Sequence, residues 1–319
     1  MGKIEQLVDG VYEAMALLAA MELGVFAALA EGEKDAGLLA RELAVDERFL
    51  QTLLEALVGA GLLYVQKDDF GNGQEAARLL VPGSTEYMGP RHGLWKTTWP
   101  TLLHTADSVR AGTPQAEIDF VGASADELEP IFRGLHSGSM RMGRELAAEI
   151  DWSACRHFLD VGGGSGGLSI GLCRAVADLQ ATVLELPNVA KLAQKIVGEE
   201  GMQGRVQVEA CNIVEQVPKG TYDAALCKAY FQVLAPGQVQ ASMRHIFQKL
   251  RPGGWILIIG DMLDDVAAPA DLACFSLFFL NAYKSGRLYY RHEYDAWLTA
   301  AGFVEIEHLE QGVLKAKKR

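Results

Sequence analysis

The sequence predicts an α/β protein in which a doubly wound parallel sheet ends in an antiparallel hairpin and follows a mostly helical N-terminal domain. From residue 157 onward, apolar strand-like runs alternate with helical stretches long enough for right-handed crossovers. The first ninety residues instead show helical periodicity followed by a short hairpin pattern. We therefore divide the chain into residues 1–90 and residues 91–319, the second part beginning with a helical connector.

Composition limits the possible partners. The chain has 319 residues, half of them apolar, and a formal charge of -12. An acidic surface repels phosphate backbones and anionic membranes, so we expect small-molecule ligands and neither nucleic acid nor a membrane as partner. Its five cysteines form an odd set without a CxxC pair, which indicates a reducing cytoplasm and no metal site. Glu22 interrupts the apolar stretch 14–30, which favours an amphipathic helix over a membrane span.

The N-terminal domain has the order of a winged helix. "DAGLLAREL" and "DERFLQTLLEALVGAG" carry apolar residues at helical spacing, and "LLYVQKDDFGNGQEAARLLV" predicts two strands around a glycine-containing turn. A DNA reader is disfavoured, because residues 1–90 hold six Lys and Arg against fifteen Asp and Glu. Residues 1–29 predict one long helix whose apolar face is too extensive for this small domain to cover. We therefore expect a homodimer.

The second domain predicts five parallel strands and a final hairpin. The parallel strands are "HFLDV", "ATVLEL", "RVQVEA", "YDAALC" and "WILIIGDML". "FVEIEHLE" and "VLKAKK" flank Gln311 and Gly312, so this tight turn makes the last strand antiparallel to its neighbour.

The loop after the first of these strands, in "FLDVGGGSGG", fits two nucleotide-binding patterns. Gly162, Gly164 and Gly166 form the GxGxG of S-adenosylmethionine sites, whereas Gly162, Gly164 and Gly167 form the GxGxxG of dinucleotide sites. Backbone N–H groups at a helix N-terminus suit a pyrophosphate or a cofactor carboxylate equally. The loop alone therefore leaves both cofactors open.

Two carboxylates near this loop help to discriminate. Asp160 closes the strand just ahead of the glycines, where it would repel a pyrophosphate and attract the ammonium group of a bound amino acid. Glu185 at the end of the next strand can accept hydrogen bonds from both ribose hydroxyls, a role common to both cofactor classes. Together with the terminal hairpin, Asp160 favours S-adenosylmethionine.

Five longer stretches of the sequence resemble the motifs of a known protein family. They are "FLDVGGGSGG", "TVLELPNV", "ACNIVEQVPKGTYDAALCK", "LRPGGWILIIGDMLDD" and "EYDAWLTAAGF". In this order the chain resembles the class I S-adenosylmethionine-dependent methyltransferases of the O-methyltransferase family, which carry an N-terminal winged-helix dimerisation domain and include plant phenolic, acetylserotonin and bacterial pigment and antibiotic enzymes. The resemblance implies a Rossmann-like sheet, a homodimer, S-adenosyl-L-methionine as cofactor, and methylation of an oxygen, carbon or sulfur atom on a small aromatic or macrocyclic acceptor.

The resemblance also implies roles for individual residues. Asp160 would reach the amino group of the cofactor, Glu185 would hold the ribose, and Leu186 would lie against the adenine. The glycines would cradle the methionine end, Lys228 would line the sulfonium side, and the residues beside the adenine would be Asn212 and Ile213. Asn212 stands where the family often has Asp, a mild departure because a carboxamide oxygen still accepts a hydrogen bond.

The catalytic position departs further. A gap-free alignment of "KAYFQVLAPGQ" puts Gln232 where the family has a histidine base, and a carboxamide cannot act as a general base. We expect Gln232 to orient the acceptor. His292 at the start of a helix, Asp261 at a strand end and Asn281 within an apolar run are substitute candidates, none of them predicted as the sole base. The reaction would then favour acceptors that ionise readily, such as a thiol of pKa about 8.5, or an electron-rich carbon.

Two other functions stay open from the sequence alone. The missing base also fits a family member that binds the cofactor and performs chemistry other than methyl transfer. A non-catalytic winged-helix regulator is disfavoured by the acidic N-terminal segment.

Overall fold

The computed structural model describes residues 2–84, 86–263, 270–309 and 312–319. The chain divides into two compact units, of which the first ends at Lys96 and the second begins at Thr97. The sequence places the boundary at residue 90, six residues earlier, ahead of a short helix that contains the division.

The N-terminal unit combines helices with a small antiparallel sheet. Its elements are α1 (Lys3–Leu23), α2 (Val25–Ala28), β1 (Lys34–Asp35), α3 (Ala36–Leu43), α4 (Glu47–Gly59), β2 (Leu63–Gln66), β3 (Asp69–Asn72) and α5 (Gln74–Leu79). The strands lie in the order β1-β3-β2. Leu39 of α3, and Leu54 and Leu57 of α4, are fully buried in its core.

Two local predictions for this unit were wrong. The N-terminal helix ends at Leu23 and does not continue to residue 29, because Gly24 adopts a left-handed φ of 78° and caps it. The hairpin turns at Lys67 and Asp68, where Lys67 has a φ of 59°, and Gly71 lies within β3. A two-residue hairpin loop needs a residue with positive φ, and glycine is the residue that adopts it most readily. The sequence therefore predicts a turn at a glycine, whereas Lys67 takes that conformation here.

The C-terminal unit is built on a seven-stranded sheet. Its strands are β4 (His157–Val161), β5 (Gln180–Glu185), β6 (Val206–Ala210), β7 (Tyr222–Lys228), β8 (Leu250–Ile259), β9 (Val304–Leu309) and β10 (Val313–Lys317). Their order is β6-β5-β4-β7-β8-β10-β9, with β4 to β8 parallel and β10 antiparallel to both neighbours. The predicted sheet and final hairpin are confirmed, while Gln311 of the predicted turn lies outside the described residues.

The remaining helices are α6 (Arg91–Thr98, which contains the division), α7 (Thr105–Ala111), α8 (Ala125–Glu149), α9 (Gly167–Ala175), α10 (Pro187–Glu199), α11 (Pro236–Lys249), α12 (Ala270–Ala282) and α13 (Arg291–Ala301), with short 3-10 helices at Trp99–His104 and Phe231–Val233. Of these, α8, α9 and α10 pack on one face of the sheet, and α11 and α13 pack on the other. Phe158 packs into the core beneath α8, α9 and α10, and its neighbour Leu159 into the core beneath α11 and α13. No described helix is both long and apolar enough to cross a membrane.

Candidate cofactor and acceptor site

A cavity of about 500 Å³ lies at the carboxyl ends of the central strands. Strand β4 pairs in parallel with β5 on one side and β7 on the other, so Asp160, Glu185 and Lys228 reach the same edge of the sheet. Residues 117–121, 162–165 and 283–285 also line the cavity, together with side chains of α8. Ligands of open parallel sheets bind at this edge.

The backbone conformation of the glycine loop distinguishes between the GxGxG and GxGxxG patterns. Gly162, Gly164 and Gly166 have φ values of 64°, 58° and 74°, a left-handed conformation that side chains disfavour. Gly167 instead begins α9, where a Cβ would lie 2.8 Å from the carbonyl oxygen of His136 in α8. The GxGxG set therefore shapes the loop, and Gly167 serves helix packing.

Asp160 is a buried carboxylate with half of its hydrogen bonding unmet. Its Oδ2 accepts a bond of 2.6 Å from the Ser169 hydroxyl, but no donor among the described residues reaches Oδ1. Burial raises the pKa of Asp160 to about 6, against the opposing effects of Ser169 and Lys228. A buried carboxylate oxygen without a donor costs free energy, so this position suits a cationic donor from a ligand.

Glu185 faces the same cavity from β5. Its Oε1 accepts from the backbone N–H of Gly164 at 2.8 Å, and its Oε2 from that of Leu186 at 3.0 Å. Burial raises the pKa of Glu185 to about 7, although these two N–H groups oppose it. Each oxygen keeps a further lone pair, so the carboxylate can also accept ribose hydroxyls.

The other predicted cofactor residues divide into two groups. Leu186, Asn212 and Lys228 line the cavity, and Asn212 accepts the N–H of Val214 through its side-chain oxygen at 3.2 Å. Ile213 is buried in the core beneath α11, and Gly166 lies behind the loop, so neither is among the described residues that line the cavity. The predicted roles of these residues stay predictions.

The structure does not bring the three catalytic candidates together. Gln232 is buried in the 3-10 helix Phe231–Val233, and a Cβ on Gly260 would lie 2.9 Å from its Oε1. His292 is exposed and stacks on Tyr290 with ring centroids 5.4 Å apart. Neither is among the described lining residues, and Asp261, the further substitute, is exposed.

Asn281 is fully buried and its amide is engaged within the fold. Its Nδ2 donates to Thr105 Oγ1 at 2.9 Å and to the carbonyl of Leu277 at 2.8 Å, and its Oδ1 accepts from Ser108 at 2.7 Å. These bonds join α12 to α7, which accounts for a polar residue in this apolar run. The catalytic roles of Gln232, His292 and Asn281 remain predictions.

Sequence reasoning missed an aromatic wall. The rings of Phe120 and Tyr283 stack with centroids 5.4 Å apart and an interplanar angle of 4°, and Phe132 meets Phe120 edge-on at 6.3 Å. Tyr230 packs on the loop so closely that a Cβ on Gly162 would lie 2.5 Å from its ring. Tyr230 could have been found, since it follows the carboxyl end of β7, whereas the segment around Phe120 carries no periodic pattern.

Comparison with known proteins defines the family. The O-methyltransferase domain model matches residues 110–304, and the O-methyltransferase dimerisation domain model matches residues 5–82. The chain therefore belongs to the O-methyltransferase family. It is an enzyme that uses S-adenosylmethionine as cofactor for methyl transfer, and the unmet Asp160 oxygen beside Glu185 fits a cofactor that carries an ammonium group and a ribose.

Individual relatives cover most of the chain. The 3-hydroxy-5-methyl-1-naphthoate 3-O-methyltransferase of Streptomyces sahachiroi is 33% identical over 95% of this chain and 89% of its own length. The N,N-dimethyltransferase OxyT of Streptomyces rimosus is 27% identical over 82% and 78%. The crystal structure of human N-acetylserotonin methyltransferase in complex with SAM has a TM-score of 0.90 at 22% identity, covering 100% of this chain and 99% of that one.

Proposed function

We propose that this methyltransferase methylates a hydroxyl oxygen of a small planar aromatic acceptor. The observation that carries the proposal is the division of one cavity into two halves. The buried carboxylate of Asp160 and the half-buried carboxylate of Glu185 lie at the strand ends, and the stacked rings of Phe120 and Tyr283 line another part of the same space. A volume of about 500 Å³ is within the usual range for a small-molecule site.

The carboxylate half would hold the cofactor. Asp160 would accept the amino group through its unmet Oδ1, and Glu185 would accept the ribose hydroxyls through its remaining lone pairs. Leu186 would contact the adenine. When bound, S-adenosylmethionine supplies an electrophilic methyl group. Two carboxylates at one edge of the cavity favour such a cation and disfavour a pyrophosphate.

The aromatic half would orient the acceptor without a histidine base. The part of the lining that the structure describes contains no histidine, so the proton of the acceptor would leave by ionisation in solution or through water. Flat rings stack favourably on Phe120 and Tyr283, which fixes the direction of the reacting oxygen. Positioning of this kind accounts for much of the rate enhancement in such reactions. The naphthoate enzyme supports oxygen as the acceptor atom.

The proposed enzyme is a homodimer. The match of residues 5–82 to a dimerisation domain supports this, as do the exposed apolar side chains on α1, among them Ile4 at 79% and Leu7 at 62% exposure. Large apolar side chains at this level of exposure along one helix face are typical of an interface.

The test uses S-adenosylmethionine with an isotopically labelled methyl group and a panel of hydroxylated naphthalenes and anthraquinones, each paired with its O-blocked analogue. We expect label in the hydroxylated members only. Glu185→Ala should weaken cofactor binding by about 1.5 to 3 kcal/mol, because a charge-assisted contact is lost. Glu307→Ala, on the exposed part of β9, is the matched control. Equal labelling of O-blocked analogues would exclude oxygen, and unchanged cofactor calorimetry in Glu185→Ala would exclude the proposed cofactor site.

A further inference from the structure

Residues 113–123, here called the strap, cross from α7 to α8 and line the cavity through residues 117–121. The first half of the strap is tied to the end of α12. The backbone N–H of Ala116 donates to the carbonyl of Asn281 at 3.3 Å, and that of Ile118 to the carbonyl of Ala282 at 3.0 Å. This half is thus anchored by backbone bonds to a buried helix end.

The second half is tied by one side chain. The Nδ2 group of Asn188 donates to the carbonyl of Phe120 at 2.9 Å and to that of Ala123 at 2.7 Å, so both of its N–H bonds point at the strap. Asn188 lies in the first turn of α10, two residues after Leu186 and three after Glu185. A single amide therefore connects the strap to the strand end that carries a cofactor carboxylate.

Little else holds this half in place. Val121 is 77% exposed, and Asp119 accepts the N–H groups of Val121 and Gly122, which are bonds within the strap itself. Its ring contacts are the stack of Phe120 on Tyr283 and the edge-on contact of Phe120 with Phe132. Segments with few buried contacts open locally at low free-energy cost, so two hydrogen bonds form a large part of what keeps the strap closed.

We propose that Asn188 is a positioning residue that holds the strap closed over the cavity. It thereby sets the rates at which S-adenosylhomocysteine, the product formed from the cofactor, and the acceptor leave. The strap opens by releasing the two Asn188 bonds, with its first half remaining on α12 as the hinge. Because Asn188 lies only three residues after Glu185 and two after Leu186, contacts of the nucleoside with that strand end stabilise the closed strap. This inference rests on the proposed placement of the cofactor beside Glu185.

Hydrogen exchange read by mass spectrometry, on ligand-free and S-adenosylhomocysteine-bound protein, tests the tether. Asn188→Asp keeps the shape of the side chain but replaces the amide nitrogen, and with it both N–H donors, by a carboxylate oxygen that faces two carbonyls, and Asn188→Ala removes the group. The matched control is Gln203→Ala, whose amide donates to the carbonyl of Gly198 at 3.3 Å near the far end of α10. We expect amides of residues 119–123 to exchange roughly 5- to 30-fold faster in both Asn188 variants, from the loss of one or two neutral hydrogen bonds.

A second readout is the dissociation rate of S-adenosylhomocysteine by stopped flow, which should rise by a similar factor while β4 and β5 amides keep wild-type exchange. Unchanged exchange in the strap of Asn188→Asp would overturn the proposal, as would an equal increase throughout the sheet, which marks a general loss of stability. Faster strap exchange with an unchanged dissociation rate would also overturn it. If wild-type protein fails to bind S-adenosylhomocysteine, the proposed cofactor site fails, while exchange in the ligand-free protein still decides whether Asn188 tethers the strap.

Discussion

Two aspartates of the same sheet show how the surroundings of a single residue separate a structural role from a ligand-binding one. Asp223 at the start of β7 accepts the backbone N–H groups of Arg156 and His157 and pairs with Arg251. Burial opposes ionisation there, but these partners hold the pKa of Asp223 below its ordinary value. Asp160 has one protein donor, Ser169, and burial raises its pKa to about 6. An aspartate at the carboxyl end of a strand, with one oxygen that accepts no hydrogen bond from the protein, is available to bind a ligand.

The pKa of Asp160 predicts a pH dependence of cofactor binding. The ammonium group of the cofactor binds the ionised carboxylate, and below pH about 6 the ligand-free protein must first lose a proton. Affinity should therefore fall as pH decreases, and the protonation of Asp160 alone contributes about tenfold between pH 7 and pH 5. Calorimetry with S-adenosylhomocysteine measures this. Adenosine lacks the amino-acid end and should show a smaller change, and Asp160→Asn should remove the difference between the two ligands. A difference that persists in Asp160→Asn would contradict the assignment.

At the scale of elements, the cavity depends on how closely α8 crosses α9. A Cβ on Gly171 of α9 would lie 2.1 Å from the carbonyl oxygen of Met140, and one on Gly143 of α8 would lie 2.4 Å from that of Leu168. Only glycines allow the two backbones to approach this far. The contact places Phe132 of α8 on the cavity wall and the first turn of α9 beside the glycine loop.

Gly171→Ala should therefore be destabilising. The added methyl group meets backbone on the neighbouring helix, which cannot rotate away, so we expect a loss of about 1 to 3 kcal/mol in the free energy of unfolding. Gly237→Ala is the control, because that glycine lies in the first turn of α11 and a Cβ there would have no other atom within 4 Å. It should be neutral or stabilising by up to about 1 kcal/mol. Equal urea midpoints for the two variants would show that the helix crossing can relax.

The elements also show which features a sequence can predict. The strand predicted as "YDAALC" is observed as Tyr222–Lys228, because a buried parallel strand is a continuous apolar run that a local pattern reveals. The hairpin turn at Lys67 and the strap depend on backbone conformation and have no periodic pattern of apolar residues, so the sequence does not predict them. Phe120 and Tyr283 meet across more than a hundred and sixty residues, and only the folded chain brings them together. In the same way, the alignment identifies Gln232 as the residue at the position of the family's histidine, but it does not predict the direction of the Gln232 side chain.

At the scale of the whole molecule, α1 carries an apolar stripe that its own unit covers only in part. Ala16 and Ala20 near the end of the helix are buried, whereas the same stripe toward its start is exposed. The exposed members are Ile4, Leu7, Val8, Val11, Tyr12 and Met15. Their spacing of three and four residues places them on one face, which a second copy of the chain would cover in the proposed homodimer.

If the apolar face of α1 forms the dimer interface, charges introduced on that face should separate the dimer into monomers. The chain has a mass of 34.6 kDa, so the wild-type protein should sediment at about twice that value at micromolar concentration. Leu7→Glu with Val11→Glu places two carboxylates one turn apart on the apolar stripe. A two-fold interface would then contain four of them without partners, at a cost of several kcal/mol, so this variant should sediment as a monomer. Glu13→Ala, which removes an exposed charge from the same helix, should remain dimeric. A wild-type protein that sediments at 34.6 kDa, or a double variant that stays dimeric, would show that α1 does not form the interface.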